Sequence, residues 1–125
     1  MPSDGVPYME IWVNPECSKC AAATELLDAA GVGYTVRRYL DDPPTADELD
    51  AVLVRLGLEP WDVVRLNEPV AAELGLADLP RERRRWLELM AAHPILIQRP
   101  IITADDGRTV VGRSAEAVQS VLDDR

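Results

Sequence analysis

Met9-Glu10-Ile11-Trp12-Val13-Asn14-Pro15-Glu16-Cys17-Ser18-Lys19-Cys20 is the stretch that decides the fold. Residues 9–13 form a short run with β-branched and aromatic members that stops at Asn14-Pro15, the pattern of a buried strand. Beyond it Ala23, Leu26, Leu27 and Ala30 recur at i, i+3, i+4 and i+7, which predicts a helix ended by Gly31 and Gly33. Cys17 therefore falls on a strand-to-helix turn. A cysteine there meets unpaired amide donors and the positive end of the helix dipole, and both favour the thiolate, the nucleophilic form. Cys20 lies about one turn on, close enough to attack Cys17 once it is oxidised or substituted, so the pair points to redox chemistry.

Other uses of the pair are weaker. A zinc site needs four ligands, and one C-x-x-C with His93 as the only histidine does not supply them without a partner chain. A structural disulfide would close a very short loop in a chain large enough to build its own core, and so would stabilise little. Two small buried thiols without chemistry are the plainest alternative. The chain has 125 residues, 47% of them apolar, which suits one globular domain. Residues 1–8 read as a loose tail with neither the basic start nor the apolar stretch of an export signal, and 9–125 as the domain. Nowhere do apolar residues run long enough to span a membrane. The expected location is the reducing cytoplasm, where a C-x-x-C is more often catalytic than structural. A net charge of −9 disfavours binding to nucleic acid or to an anionic membrane. The basic cluster Arg81-Glu82-Arg83-Arg84-Arg85 interleaves with Trp86, Leu89 and Met90 and reads as the solvated side of an amphipathic helix.

Working outward, residues 34–39 alternate as a second strand before Asp41-Asp42-Pro43-Pro44 interrupts the chain. Thr45-Ala46-Asp47-Glu48 matches a capping box and opens a helix with the apolar stripe Leu49, Val52, Leu53 and Leu56, ended by Gly57. Residues 61–64 and 69–74 look like short helical pieces, and Pro80 opens a longer helix to about Ala92. His93 closes that helix as a cap, while Trp61 and Trp86 read as core or interface residues. From Leu96 the pattern turns extended, with 96–98, 101–103 and 109–111 grouped around the turn Asp105-Asp106-Gly107. Ser114 caps a last helix whose apolar face is Ala117, Val118, Val121 and Leu122. The order β-α-β, helical stretch, β-β-α predicts an α/β domain with a mixed sheet, a thioredoxin-like fold with a helical insertion over about 45–94.

Three segments, taken in order, resemble one known family, the small cytoplasmic arsenate reductases that work with glutathione and glutaredoxin, together with their Spx-type relatives. Asn14-Pro15-Glu16-Cys17-Ser18-Lys19 resembles the family's Asn-Pro-x-Cys loop, and Tyr39-Leu40-Asp41-Asp42-Pro43-Pro44 its Tyr-Leu-x-x-Pro-Pro. His93-Pro94-Ile95-Leu96-Ile97-Gln98-Arg99-Pro100-Ile101 resembles its His-Pro-Ile-Leu-Ile-x-Arg-Pro-Ile. Val64-Arg65-Leu66-Asn67 and Gly112-Arg113-Ser114-Ala115-Glu116 fit two further motifs.

The resemblance implies that Cys17 is the nucleophile and that Arg65, Arg99 and Arg113 surround it, with Asn14, Lys19 and Pro100 in support and a cis bond at Arg99-Pro100. Such arginines suit the chemistry, because arsenate is a tetrahedral oxyanion and a guanidinium offers planar paired donors. They would also supply a locally positive pocket in an acidic protein. The implied reaction is reduction of arsenate to arsenite without a bound cofactor. Cys20, or glutathione or another low-molecular-weight thiol, would resolve the Cys17 adduct, and a glutaredoxin-like or thioredoxin-like partner would restore the protein. Two positions depart from the family: Val13 stands where a histidine is frequent, and Cys20 where the glutaredoxin-dependent reductases commonly carry serine. A C-x-x-C is typical of Spx-type regulators, so a redox-sensing protein that binds RNA polymerase is the alternative. Arg113 argues against it, since Spx-type proteins lack the late arginine.

Overall fold

The structure is a computed structural model that describes residues 8–122. In chain order its regular elements are β1 (Tyr8–Val13), α1 (Ser18–Ala30), β2 (Gly33–Arg38), α2 (Ala46–Leu56), α3 (Pro69–Glu73), α4 (Arg83–Ala92), β3 (Ile101–Thr103), β4 (Thr109–Val111) and α5 (Ala115–Leu122), with short 3-10 turns at Pro60–Asp62, Leu76–Asp78 and Pro94–Leu96. The tail expected over 1–8 lies outside the described residues except for Tyr8, which already begins β1. The chain divides into two compact units, one built from the segments up to Arg38 and from Arg99 onward, the other from Tyr39–Gln98. No helix among the described residues is long and apolar enough to cross a membrane.

In the first unit the four strands lie in the order β2-β1-β3-β4. β1 pairs with β2 in parallel and with β3 antiparallel, and β3 with β4 antiparallel, so the sheet is mixed as expected. Alternation along β1 sends Met9, Ile11 and Val13 into one cluster with Cys20, Ala23 and Leu27 of α1, Ile102 of β3 and Val118 and Val121 of α5. Fully burying a side chain such as Leu27 or Ile102 is worth roughly 1.5–3 kcal/mol, so this cluster fixes α1 and α5 to the sheet. On the opposite side of β1, the Trp12 indole donates to Glu10 at 2.9 Å, and the Arg37 guanidinium lies 5.5 Å from its ring centre. The buried stripe of α1 runs Cys20, Ala23, Leu27. It starts one turn earlier than the periodicity suggested, and Ala30 is exposed. Val36, on the edge strand β2, is exposed.

In the helical unit the capping box forms as read: Thr45 Oγ1 accepts from the Glu48 N–H at 3.1 Å, and Glu48 accepts from the Thr45 N–H at 2.9 Å. Leu49, Val52 and Leu53 are buried, and Gly57 ends α2 in the left-handed region at φ +71°. α4 begins at Arg83, not at Pro80. The intervening turn is held by the Trp86 indole donating to the Pro80 carbonyl at 2.9 Å. Leu87 is buried in α4 along with Trp86 and Met90, where the reading had Leu89. Arg84 and Arg85 are exposed, with Arg84 paired to Asp47 and Glu88 at the surface, while the less exposed Arg83 pairs with Asp50 and Glu59. Trp61 and Trp86 meet edge to face at 5.8 Å. Residues 96–98 do not form a strand. Pro94–Leu96 is a 3-10 turn, and Ile97 makes an isolated bridge to Val64.

Candidate functional site

Cys17 is the N-cap residue of α1, with φ −92° and ψ 120°, so its side chain leaves the chain where the helix amides are unpaired. Asn14 builds the turn that presents it. The Asn14 side-chain oxygen accepts from the Glu16 N–H at 3.0 Å and the Asn14 carbonyl accepts from the Cys17 N–H at 2.9 Å, an Asx-type turn that follows strand β1. Asn14 is itself buried. This is the local reason for an Asn-Pro sequence: the amide folds back on its own backbone while Pro15 ends the strand.

Both thiols are free, Cys17 half-buried and Cys20 buried. Burial alone would push the Cys17 thiol up. Hydrogen bonds from the Arg99 guanidinium, the Cys20 N–H, the Cys20 thiol and the Lys19 N–H outweigh it, and the value falls from 9.0 to about 7. Cys20 goes the other way. Burial pushes it up to about 11, with the Asn14 N–H opposing and the neighbouring Cys17 adding to the rise. The pair is thus polarised, a thiolate at the helix end beside a neutral thiol that donates to it.

Arg99 reaches Cys17 from the loop between the two units' sequence segments, and its bond to Pro100 is cis, as the resemblance implied. Arg113 joins the same loop: its Nη1 donates to the Arg99 carbonyl at 2.7 Å. The Gly112 N–H donates to the Pro100 carbonyl at 2.8 Å. Arg99, Arg113 and Cys17 are therefore linked by successive hydrogen bonds within one unit. Arg65 belongs to the helical unit, where it pairs with Glu68 at 3.2 Å and donates to Gln98 at 3.0 Å. Lys19 is exposed on the first turn of α1.

Gly112 is the residue of this site that sequence reasoning did not single out. A Cβ at that position would stand 2.7 Å from Ile102 Cδ1, so a side chain there would force the end of Ile102 or the Gly112 backbone to shift, and that backbone donates to the Pro100 carbonyl. The only local signal was a glycine directly after an apolar strand run. Among the described residues no three His, Cys, Asp or Glu side chains gather as metal ligands.

A cysteine pair at a helix start beside an arginine and a cis-proline defines a thioredoxin-like domain. Residues 12–121 match the model of the ArsC family, and the chain belongs to that family. It is 37% identical over 118 residues to an arsenate reductase of Neisseria meningitidis, covering 94% of this chain and all of that protein. It is 59% identical over 117 residues to an uncharacterized protein in the glnII region of Streptomyces viridochromogenes, covering 91% and 98%. The solved arsenate reductase of Vibrio cholerae superposes with a TM-score of 0.87 at 33% identity, covering 94% of this chain and 99% of that one.

Proposed function

We propose that this protein is a thiol-dependent arsenate reductase acting in the cytoplasm, with Cys17 as nucleophile. The observation that carries the reading is the Cys17 thiol, brought to about 7 by a hydrogen bond from Arg99, whose carbonyl in turn holds Arg113. At neutral pH a large share of Cys17 is thiolate, and two guanidinium groups are tied to its surroundings. Two cations held together in an acidic protein suit an oxyanion. Arg65 is the third arginine that the family resemblance adds to this set.

In the first step the Cys17 thiolate attacks arsenic, an As–O bond breaks and the departing oxygen leaves as water after taking up protons. The product is a Cys17-arsenate thioester. A second thiolate then attacks the Cys17 sulfur. The S–S bond forms, the S–As bond breaks and its electron pair stays on arsenic, so As(V) becomes As(III) while each sulfur loses one electron. Protonated arsenite departs. The second thiol is Cys20 or a low-molecular-weight thiol such as glutathione, and a glutaredoxin-like or thioredoxin-like partner returns the disulfide to thiols.

Arsenite formation from arsenate, followed with glutathione plus glutaredoxin and separately with thioredoxin, tests this. Turnover with at least one system, abolished by Cys17→Ser, is the expected result. Mass spectrometry after turnover identifies the resolving thiol, as a Cys17-Cys20 bridge or a mixed disulfide. No arsenite with any reductant would overturn the reading in favour of a redox-sensing regulator that binds RNA polymerase.

A further inference from the structure

We propose that Tyr39 is a positioning residue for the reaction: its buried hydroxyl holds the Ile97 carbonyl two residues before Arg99, and so sets where the Arg99 guanidinium stands beside Cys17. The proposal rests on the reading of Cys17 as nucleophile and adds what keeps its arginine in place.

Tyr39 is the first residue of the helical unit and Gln98 the last, so Arg99 follows directly where the chain leaves that unit. Tyr39 is fully buried, and its hydroxyl donates to the Ile97 carbonyl at 3.1 Å. A phenol taken out of water needs such a partner. The carbonyl needs one as well. Ile97 bridges Val64 antiparallel, but the backbone bonds of that bridge are made by its neighbours: the Arg65 N–H donates to the Leu96 carbonyl at 2.7 Å, and the Gln98 N–H to the Val63 carbonyl at 2.8 Å. In a pair of this kind the N–H and C=O of the central residue face away from the opposite strand. The Ile97 N–H turns back to the Pro94 carbonyl at 2.9 Å, and the Ile97 carbonyl is met by Tyr39. A side chain 58 residues earlier thus takes the place that another strand would take in a sheet.

Beyond this point the chain is held again, since the Arg99 carbonyl accepts from Arg113 at 2.7 Å and the Pro100 carbonyl from the Gly112 N–H at 2.8 Å. The backbone of Arg99 therefore lies between fixed groups, with Ile97 and Gln98 before it and its own carbonyl and Pro100 after it. A guanidinium on so short a tether loses little freedom when it bonds to the Cys17 sulfur. Releasing the Ile97 carbonyl loosens the upstream side and removes no group that touches Cys17. Burial raises the Cys17 thiol, and Arg99 leads the groups that bring it down, ahead of the Cys20 amide and thiol and the Lys19 amide. A displaced Arg99 is therefore read directly in how Cys17 titrates.

The test needs no arsenate. Iodoacetamide alkylation of Cys17 in the full chain is followed by mass spectrometry as a function of pH, and the wild type should titrate at about 7. Tyr39→Phe keeps the ring that fills the core and loses the donor. Its midpoint should rise toward 9.0, with alkylation at neutral pH slowed about two- to fivefold. Tyr39→Leu, a second variant without the donor, should move the same way. Thr45→Ala weakens the same unit at the start of α2, where the cap bonds stay within residues 45–48, and should leave the midpoint in place. Arg99→Gln should raise the midpoint by itself, and adding Tyr39→Phe should then change nothing further, because a residue that acts through Arg99 has no effect once Arg99 is gone. If a Tyr39 variant is too unstable alone, every protein is read in the same concentration of trimethylamine N-oxide, which favours the folded state. A wild-type midpoint in Tyr39→Phe, an equal rise in Thr45→Ala, or an undiminished rise on top of Arg99→Gln would overturn the positioning role and leave Cys17 as nucleophile. A wild-type protein that titrates near 9.0 would overturn both. A midpoint that depends on Tyr39 through Arg99, in a protein that forms no arsenite, would uphold the positioning role and reject the arsenate reading.

Discussion

Arg113 Nη1 donates to the carbonyl oxygen of Arg99 at 2.7 Å, so two like-charged side chains are tied to one loop beside the Cys17 sulfur. Their mutual repulsion is relieved by a thiolate and, on the proposed mechanism, by a bound oxyanion. Replacing Arg113 by lysine keeps the charge but loses the planar fork that can hold a carbonyl and an oxyanion together. Arg113→Lys should lower kcat/KM for arsenate by about 10²-fold, in the range seen when one preorganised oxyanion donor is lost. Steady-state kinetics check this. A variant within a factor of about two of wild type would remove Arg113 from the substrate site.

The two cysteines predict opposite pH dependences of stability. Cys17 holds its proton to 9.0 when unexposed to the fold but only to about 7 in the native state. Between those values the unfolded chain binds more protons, so stability rises with pH. This contribution is complete above 9 and is lost as pH falls through 7. Cys20 keeps its proton to about 11 in the native state, so from 9 upward the unfolded chain binds fewer protons and stability falls. Urea midpoints measured across this range should rise and then decline, and Cys17→Ser should remove the rise and, by taking away the Cys17 contribution to Cys20, soften the decline. Alkylation by iodoacetamide should titrate near 7 and map to Cys17, with Cys20 protected by burial.

Much of the fold was legible because its signals are local. Asn14-Pro15 ends β1 by its own side-chain and ring chemistry, Thr45 and Glu48 satisfy each other within four residues, and Ser114 caps α5 by accepting from the Ala117 N–H at 3.1 Å. The misplaced boundaries depend on side-chain and bridge contacts that periodicity does not encode. Trp86 holds the Pro80 turn that delays α4, and Ile97 pairs with Val64 where a third extended run was expected. At the site, a reactive Cys17 followed from its place before a helix. Arg99 and Arg113 are fourteen residues apart, and no periodicity relates them. Their selection came from resemblance, and the hydrogen bond between them came only with coordinates. Gly112 was overlooked for the same reason, since the atom that a side chain there would meet belongs to Ile102.

The Thr45 cap offers a direct measure of the helical unit. Thr45→Ala removes the acceptor for the Glu48 N–H and leaves the first turn of α2 one bond short. The expected loss is about 1 kcal/mol in urea unfolding, and Thr45→Asp should recover most of it because aspartate caps as well. A silent Thr45→Ala would mean that this end of α2 contributes nothing to the cooperative unit.

Gly112 and Ile102 form a steric pair whose coupling can be measured. A Cβ on residue 112 would sit 2.7 Å from Ile102 Cδ1 and 3.4 Å from Val118 Cγ2. Ile102 is fully buried, so its end methyl has little room to turn aside. Gly112→Ala should therefore destabilise by roughly 1–3 kcal/mol through overpacking. Ile102→Val deletes the atom in the way at a cost of about 0.5–1.5 kcal/mol on its own. The double variant should lose clearly less than the sum, because the deleted methyl makes space for the added one. Additive losses would place the strain elsewhere. In Gly112→Ala the displaced backbone carries the N–H that donates to the Pro100 carbonyl, so the loop bearing Arg99 shifts with it. Cys17 alkylation in that variant should consequently titrate above 7, and it should return toward the native value when Ile102→Val is added.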